Sequence, residues 1–153
     1  MRTLEPILAQ HPFFTDLDSA YQQLIVECAA NVRFRAGEFL FHEGEAANRF
    51  YLIRHGRVAL QVFIPGQGPT TLTTIQAGEV VGWSWLFPPH RWHFDAQALE
   101  LIRALAFDGE CLRAKCEADH DLGYALMQRF ARIMVQRLRE TRLQLLDLYS
   151  THS

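Results

Sequence analysis

The sequence predicts a mainly β, α+β domain: a double-stranded β-helix jelly roll with one helix before it and a short and a long helix after it. Three observations carry this. Between Asn31 and Phe107, short runs of β-branched, aromatic and aliphatic residues alternate with glycine turns, the punctuation of a sandwich or barrel. On either side the apolar residues recur at helical spacing instead. From His120 to Tyr149 there is no proline, and no glycine after Gly123. A chain of 153 residues is read as one domain, 1–153, with the jelly roll over about 31–107 and the C-terminal helices over about 108–150.

Residues 4–10 read as a short helical lead-in, ended at His11-Pro12 because a residue before proline is pushed out of the helical region. TDLDSAYQQLIVECAA reads as an amphipathic helix with Asp16 or Asp18 as its N-cap and Leu17, Tyr21, Leu24, Ile25 and Cys28 at helical spacing. The runs VRF, FLFHEGE, FYLIRHG, RVALQVFI, TTLTTI and QALELIRALAF read as strands, and roughly eight strands is the number expected of a jelly roll whose two sheets enclose a core or a small cavity. Gly37, Gly44, Gly56 and Gly78 mark turns, and PGQGP is the tip of a long hairpin. DGECLRAKCEAD is a short helix capped by Asp108.

The last helix is on the order of 45 Å long at 1.5 Å per residue, too long to lie wholly on a small barrel. It carries two apolar stripes. Leu122, Leu126, Phe130 and Ile133 cover its first half and are assigned to the barrel. Tyr124, Met127, Ala131, Met134, Leu138, Thr141, Leu145 and Leu148 follow at intervals of three and four, a seam of the kind two helices share. The expectation is a homodimer joined through Met127, Ala131, Met134, Leu138 and Leu145; the alternative places both stripes in one monomeric core.

Formal charge is −2, which gives no overall attraction to nucleic acid. Fourteen of the fifteen basic residues are arginines, five of them (Arg129, Arg132, Arg137, Arg139 and Arg142) in the last helix, where pairing with carboxylates on a solvated face is the ordinary role. No apolar run approaches the roughly 20 residues needed to span a bilayer, and no secretory signal is visible. Cys28, Cys111 and Cys116 are odd in number and lack Cys-x-x-Cys spacing. They are read as reduced, packing thiols of a cytoplasmic protein.

One stretch stands apart. Gly78 to Ala98, GEVVGWSWLFPPHRWHFDAQA, holds all three tryptophans, Trp83, Trp85 and Trp92. Large rings bring the most burial per residue, so the stretch is either a shaped pocket or a plug. Its neighbours place it. Phe34, Ala36-Gly37-Glu38, Phe41-His42-Glu43-Gly44-Glu45, Phe50-Tyr51-Leu52-Ile53 and Gly56-Arg57-Val58 resemble the cyclic nucleotide-binding domain of the bacterial catabolite-activator and related regulator family. The likeness extends through the last helix. It implies that the tryptophan-rich stretch stands where that family has a phosphate-binding cassette: helix N–H groups, a glutamate, and an Arg-Ser or Arg-Thr pair.

Gly78, Glu79 and Gly82 match the cassette's opening, and the residues after Gly82 depart from the pattern. Trp83 occupies the position of the ribose-binding glutamate, and Ser84 is a weak substitute acceptor. Trp85 adds bulk. The nearest arginine, Arg91, is followed by Trp92 rather than serine or threonine, and Pro88-Pro89 stiffens the loop. The resemblance implies cAMP or cGMP as ligand at Gly78, Glu79, Gly82, Trp83, Ser84, Trp85, Arg91 and Trp92. The other reading is a ligand-free dimeric interaction module whose indoles fill the pocket.

A cupin metalloenzyme shares the jelly roll, but His42-Glu43 would point to opposite strand faces and His90-x-x-His93 lies in the proline loop. No nucleophile elbow, phosphate-binding Walker loop or His-Glu-x-x-His is present. No enzyme and no metal are therefore expected. Ser153 follows Tyr149 closely with no helix-turn-helix, so base readout by this chain alone is not expected either. The expected function is a non-catalytic sensor module with no membrane association.

Overall fold

The computed structural model describes His11 and residues 13–151, with side chains to Asp147. The helical lead-in expected at 4–10, Pro12 and the seam residue Leu148 lie outside the described residues or side chains. Helix α1 (Ser19–Val26) is followed by strands β1 (Ala29–Phe34), β2 (Phe39–Phe41), β3 (Arg49–His55), β4 (Val58–Ile64), β5 (Gly68–Ile75), β6 (Val80–Val81), β7 (Asp95–Ala98) and β8 (Ile102–Asp108). Helices α2 (Gly109–Ala118) and α3 (His120–Thr151) complete the order. The strands form two four-stranded antiparallel sheets, β1-β8-β3-β6 and β2-β7-β4-β5. This is the expected jelly roll.

Side chains on a strand alternate between faces, and in the first sheet both faces are apolar. Tyr51 and Ile53 of β3, Val81 of β6 and Ile102, Ala104 and Ala106 of β8 point inward, where they meet Leu40, Phe41, Val58, Leu60, Ile75, Ala96 and Ala98 of the second sheet. Phe50 and Leu52, Val80, and Leu105 and Phe107 point outward and meet the helices. Two cores result, one between the sheets and one between sheet and helices. The run read as one strand, QALELIRALAF, breaks at Leu99–Leu101 into β7 and β8, one in each sheet.

The helix ends follow the capping residues. Asp18 accepts from the Ala20 N–H and starts α1. Asp108 accepts from Glu110 and Cys111 N–H and starts α2. Asp119 does the same for α3 through Asp121 and Leu122. The first α3 stripe lies on the barrel as expected: Leu122, Leu126 and Phe130 are buried, with Ile133 packed beside them. The seam does not. Tyr124 (67%), Met127 (42%), Leu138 (52%) and Leu145 (49%) are solvent-exposed in the single chain, Ala131 is exposed, and Met134 is half-buried against the helix-side core.

The cysteine reading is overturned. Cys28 and Cys111 form a disulfide with Cα atoms 5.7 Å apart, and Cys116 alone is a free thiol. Strand register explains it. Ala29 pairs with Phe107, and the Asp108 N–H donates to the Cys28 carbonyl at 2.8 Å. The residue before β1 and the first turn after β8 are therefore neighbours although 83 positions separate the cysteines. Local spacing carries no trace of such a pairing, and the thiol argument for a reducing compartment goes with it.

A cross-link across so long a loop should stabilise by about 2–4 kcal/mol. Urea denaturation is expected to show that loss for reduced protein and for Cys111→Ser, with Cys116→Ser unchanged. Coincident curves for oxidised and reduced protein would remove the cross-link from the account.

Candidate functional site

The tryptophan-rich stretch is pinned at both ends by main-chain bonds. At its start, Gly78 turns the chain with φ +93°, its N–H donates to the Ile53 carbonyl at 2.8 Å, and the Glu79 carboxylate accepts from the Gln76 N–H at 3.0 Å. After β6 comes Gly82 at φ +98°, then Trp83 and a 3-10 turn at Ser84–Leu86. At its far end the Trp92 N–H donates to Glu45, the Gly44 N–H to Trp92, and the Ala47 N–H to His90. The Arg91 guanidinium donates to the Gly44 carbonyl at 2.8 Å. Arg91 is thus spent on the β2–β3 connection.

The three indoles go to three places. Trp92 enters the core between the sheets, stacked on Phe41 with centroids 3.7 Å apart and planes within 8°. Its ring fills the space a Gly82 side chain would need: a Cβ there would sit 2.5 Å from the indole. Trp85 is fully buried on the other side of the sheet, stacked on Phe50 at 5.2 Å and edge-on to Phe130 at 5.4 Å. The Arg113 guanidinium of α2 donates to the Trp85 carbonyl. Ser84 is buried beside it. Trp83 is half-buried and lines a cavity against the last helix.

That cavity, of about 240 Å³, lies between the β4–β5 face of the barrel and α3. Leu60, Leu72 and Thr73 line it from the barrel, Glu140, Thr141 and Gln144 from the helix, and Trp83 and Phe94 complete the lining. Arg137 reaches in from α3. Its guanidinium carbon stands 5.0 Å from the Trp83 ring centroid, within cation–π range. Nη2 donates to the Val80 carbonyl, whereas Nη1 is buried with no hydrogen-bond partner among the described residues. Burial lowers the pKa of Arg137, and Glu79 and Glu140 oppose that shift; a guanidinium remains charged.

Of the residues expected to form one site, Trp83 lines this cavity. Gly78 and Glu79 line a separate cavity on the other side of Arg137. Gly82 makes room for Trp92, and Ser84, Trp85 and Trp92 serve the cores. Arg137 was not among the expected site residues. Its signal was present: the buried stripe Leu122, Leu126, Phe130, Ile133 continues after four more residues at 137, and there the residue is arginine. Among the described residues no group of three or more His, Cys, Asp and Glu side chains is placed to hold a metal ion, and no helix is long and apolar enough to cross a membrane.

A jelly roll with a glycine-bounded insertion and a long C-terminal helix packed across it is the architecture of a regulatory domain. Residues 31–119 match the cyclic nucleotide-binding domain family, and the chain belongs to that family. Over 148 residues it is 26% identical to a CRP-like cAMP-activated global transcriptional regulator of Mycobacterium tuberculosis, aligning 97% of this chain with 64% of that one. The chain therefore spans just under two thirds of that relative's length. Two solved structures are similar. A cyclic nucleotide-binding protein from Geobacter metallireducens matches with TM-score 0.78 and 26% identity over 90% of this chain and 99% of its own. The catabolite activator protein of Thermus thermophilus matches with TM-score 0.70 and 26% identity over 91% and 63%.

Replacing Gly82 tests the link between cassette backbone and barrel core. Gly82→Ala places a Cβ at a positive φ and against the Trp92 ring. It is expected to cost at least about 2 kcal/mol, with a change in tryptophan fluorescence. Wild-type stability in chemical denaturation would refute the packing described.

Proposed function

We propose that this chain is a non-catalytic sensor module that binds a small anionic ligand with a planar ring, of the cyclic nucleotide class, in the cavity between the β4–β5 face and α3. The observation that carries the reading is Arg137, held over Trp83 with a buried nitrogen unpartnered. A buried donor without an acceptor is costly, and an anion in the cavity supplies the acceptor through a charge-assisted bond. Trp83 offers a face on which a base stacks. The family's cassette supplies its cation from the loop; here the loop arginine is engaged with Gly44, so the cation comes from the helix. Because Arg137 sits on α3, occupancy biases how that helix packs on the barrel.

The exposed seam gives α3 a second role. Tyr124, Met127, Leu138 and Leu145 present an apolar row that a second copy of the helix would cover, and we read the working unit as a homodimer. One observation favours the competing closed reading: the cavity's 240 Å³ falls below the about 300 Å³ at which ligand clefts usually begin. In that case the chain is a dimeric interaction module without a ligand.

Titration with cAMP and with cGMP separates the two. Binding to the native state alone raises the melting temperature, and Trp83 should report it in fluorescence. Arg137→Gln is expected to weaken binding at least tenfold, the scale of one charge-assisted bond of about 1.5–3 kcal/mol. No change in melting temperature or emission at millimolar nucleotide would leave the closed reading standing. For the dimer, Leu138→Glu should sediment as a monomer and wild type as a dimer; two identical monomeric profiles would rule out the seam.

A further inference from the structure

A second, larger opening of about 470 Å³ lies on the far side of Arg137, between the segment before α1, the Gly78–Val80 turn and α3. Its size is within the range of ligand clefts, about 300–1,000 Å³. Phe13, Val80 and Ile133 give it an apolar wall. Six charged side chains line it, and their commitments differ.

Arg129 is fully engaged. Its Nε donates to the Phe13 carbonyl at 2.9 Å, Nη1 to the Ala125 carbonyl at 3.0 Å, and Nη2 to the Asp16 carboxylate. That pair neutralises itself. Arg137 is the partition, held by Val80 and Trp83. Arg132 has no hydrogen bond or ion pair among the described residues and acts on Asp16 only at a distance. Glu79 and Glu140 each use one carboxylate oxygen, for the Gln76 N–H and the Gln136 amide respectively. The second oxygen of each carries no described hydrogen bond.

The opening therefore offers a cation with spare donors, two carboxylates with spare acceptors, and an apolar wall. A simple anion would meet Arg132 but be repelled by Glu79 and Glu140. A simple amine would meet the carboxylates but be repelled by Arg132 and Arg137. A molecule carrying both charges satisfies both sides and adds no net charge to a lining that sums to zero. We propose that this opening is a binding site for a zwitterionic small molecule with an apolar body, the chemistry of a free apolar amino acid. Its carboxylate meets Arg132, its ammonium meets Glu79 and Glu140, and its side chain covers Val80 and Ile133. The opening shares only Arg137 and Glu140 with the nucleotide-class cavity, and Arg132 and Glu79 line this opening and not that one.

Calorimetric titration of the full chain with L-phenylalanine, 3-phenylpropionate and 2-phenylethylamine dissects the claim, since the last two each keep one charge. L-Phenylalanine is expected to bind and raise the melting temperature, and each half-charged analogue to bind at least tenfold more weakly. Arg132→Gln, at an exposed position, should weaken L-phenylalanine at least tenfold while leaving cAMP titration as in wild type. Leu72→Trp narrows only the other cavity and should leave L-phenylalanine binding intact. The proposal falls if no binding occurs at millimolar L-phenylalanine, or if 3-phenylpropionate matches it. It falls equally if Arg132→Gln has no effect, or if Leu72→Trp abolishes binding and so moves the ligand to the first cavity.

Discussion

The structure depends on one aromatic contact set centred on Phe50. Its ring stacks on Phe107 of the neighbouring strand at 4.5 Å and on Trp85 of the cassette segment at 5.2 Å, and meets Phe130 of α3 edge-on at 5.0 Å. Sheet, cassette segment and long helix are thereby joined at a single point. Such ring pairs contribute about 0.5–1.5 kcal/mol each beyond the area they bury. Their greater consequence is positional. With Phe130 fixed on the sheet, the residue two helical turns on is aimed back at the barrel mouth, and that residue is Arg137. The Arg137 guanidinium is placed by packing about 10 Å away along the helix, at about 1.5 Å of rise per residue.

The cassette segment also couples the two cores. Trp85 belongs to the helix-side core and Trp92 to the core between the sheets, while Gly82 has no side chain because the Trp92 ring occupies the space. Trp83, between them, has little freedom to leave the cavity it lines. The turn after Trp83, closed by the Leu86 N–H on the Trp83 carbonyl, holds Trp85 edge-on to Phe130 of α3. Whether the segment is pocket or plug therefore has no single answer: two indoles are core, and one is wall.

Much of the fold was legible because its signals are local. Strand runs, turn glycines and the cap Asp108 state their own roles within a few residues, and of the two caps open for α1, Asp16 and Asp18, the structure uses Asp18. The α3 stripe of Leu122, Leu126 and Phe130 was legible too, since helical spacing alone places these residues on one face. The site was less so. Proximity in sequence suggested that Arg91 would serve beside Trp83, but strand pairing around Ala46 and Arg91 carries that arginine to Gly44. Cys28 and Cys111 flank the whole barrel in sequence, and only the register of β1 against β8 brings them together.

By itself the sequence determined the architecture: one jelly roll, its flanking helices, and the stretch from Gly78 to Ala98 as the insertion of interest. Periodicity and turn chemistry suffice for that, because they act within a few residues. Tertiary structure alone decided which side each indole faces, which arginine reaches the cavity and which cysteines pair. Those outcomes rest on contacts between elements tens of residues apart, whose geometry is set by sheet register and by Phe130 on Phe50. Local pattern builds the elements; the long-range packing of rings assigns them their chemistry.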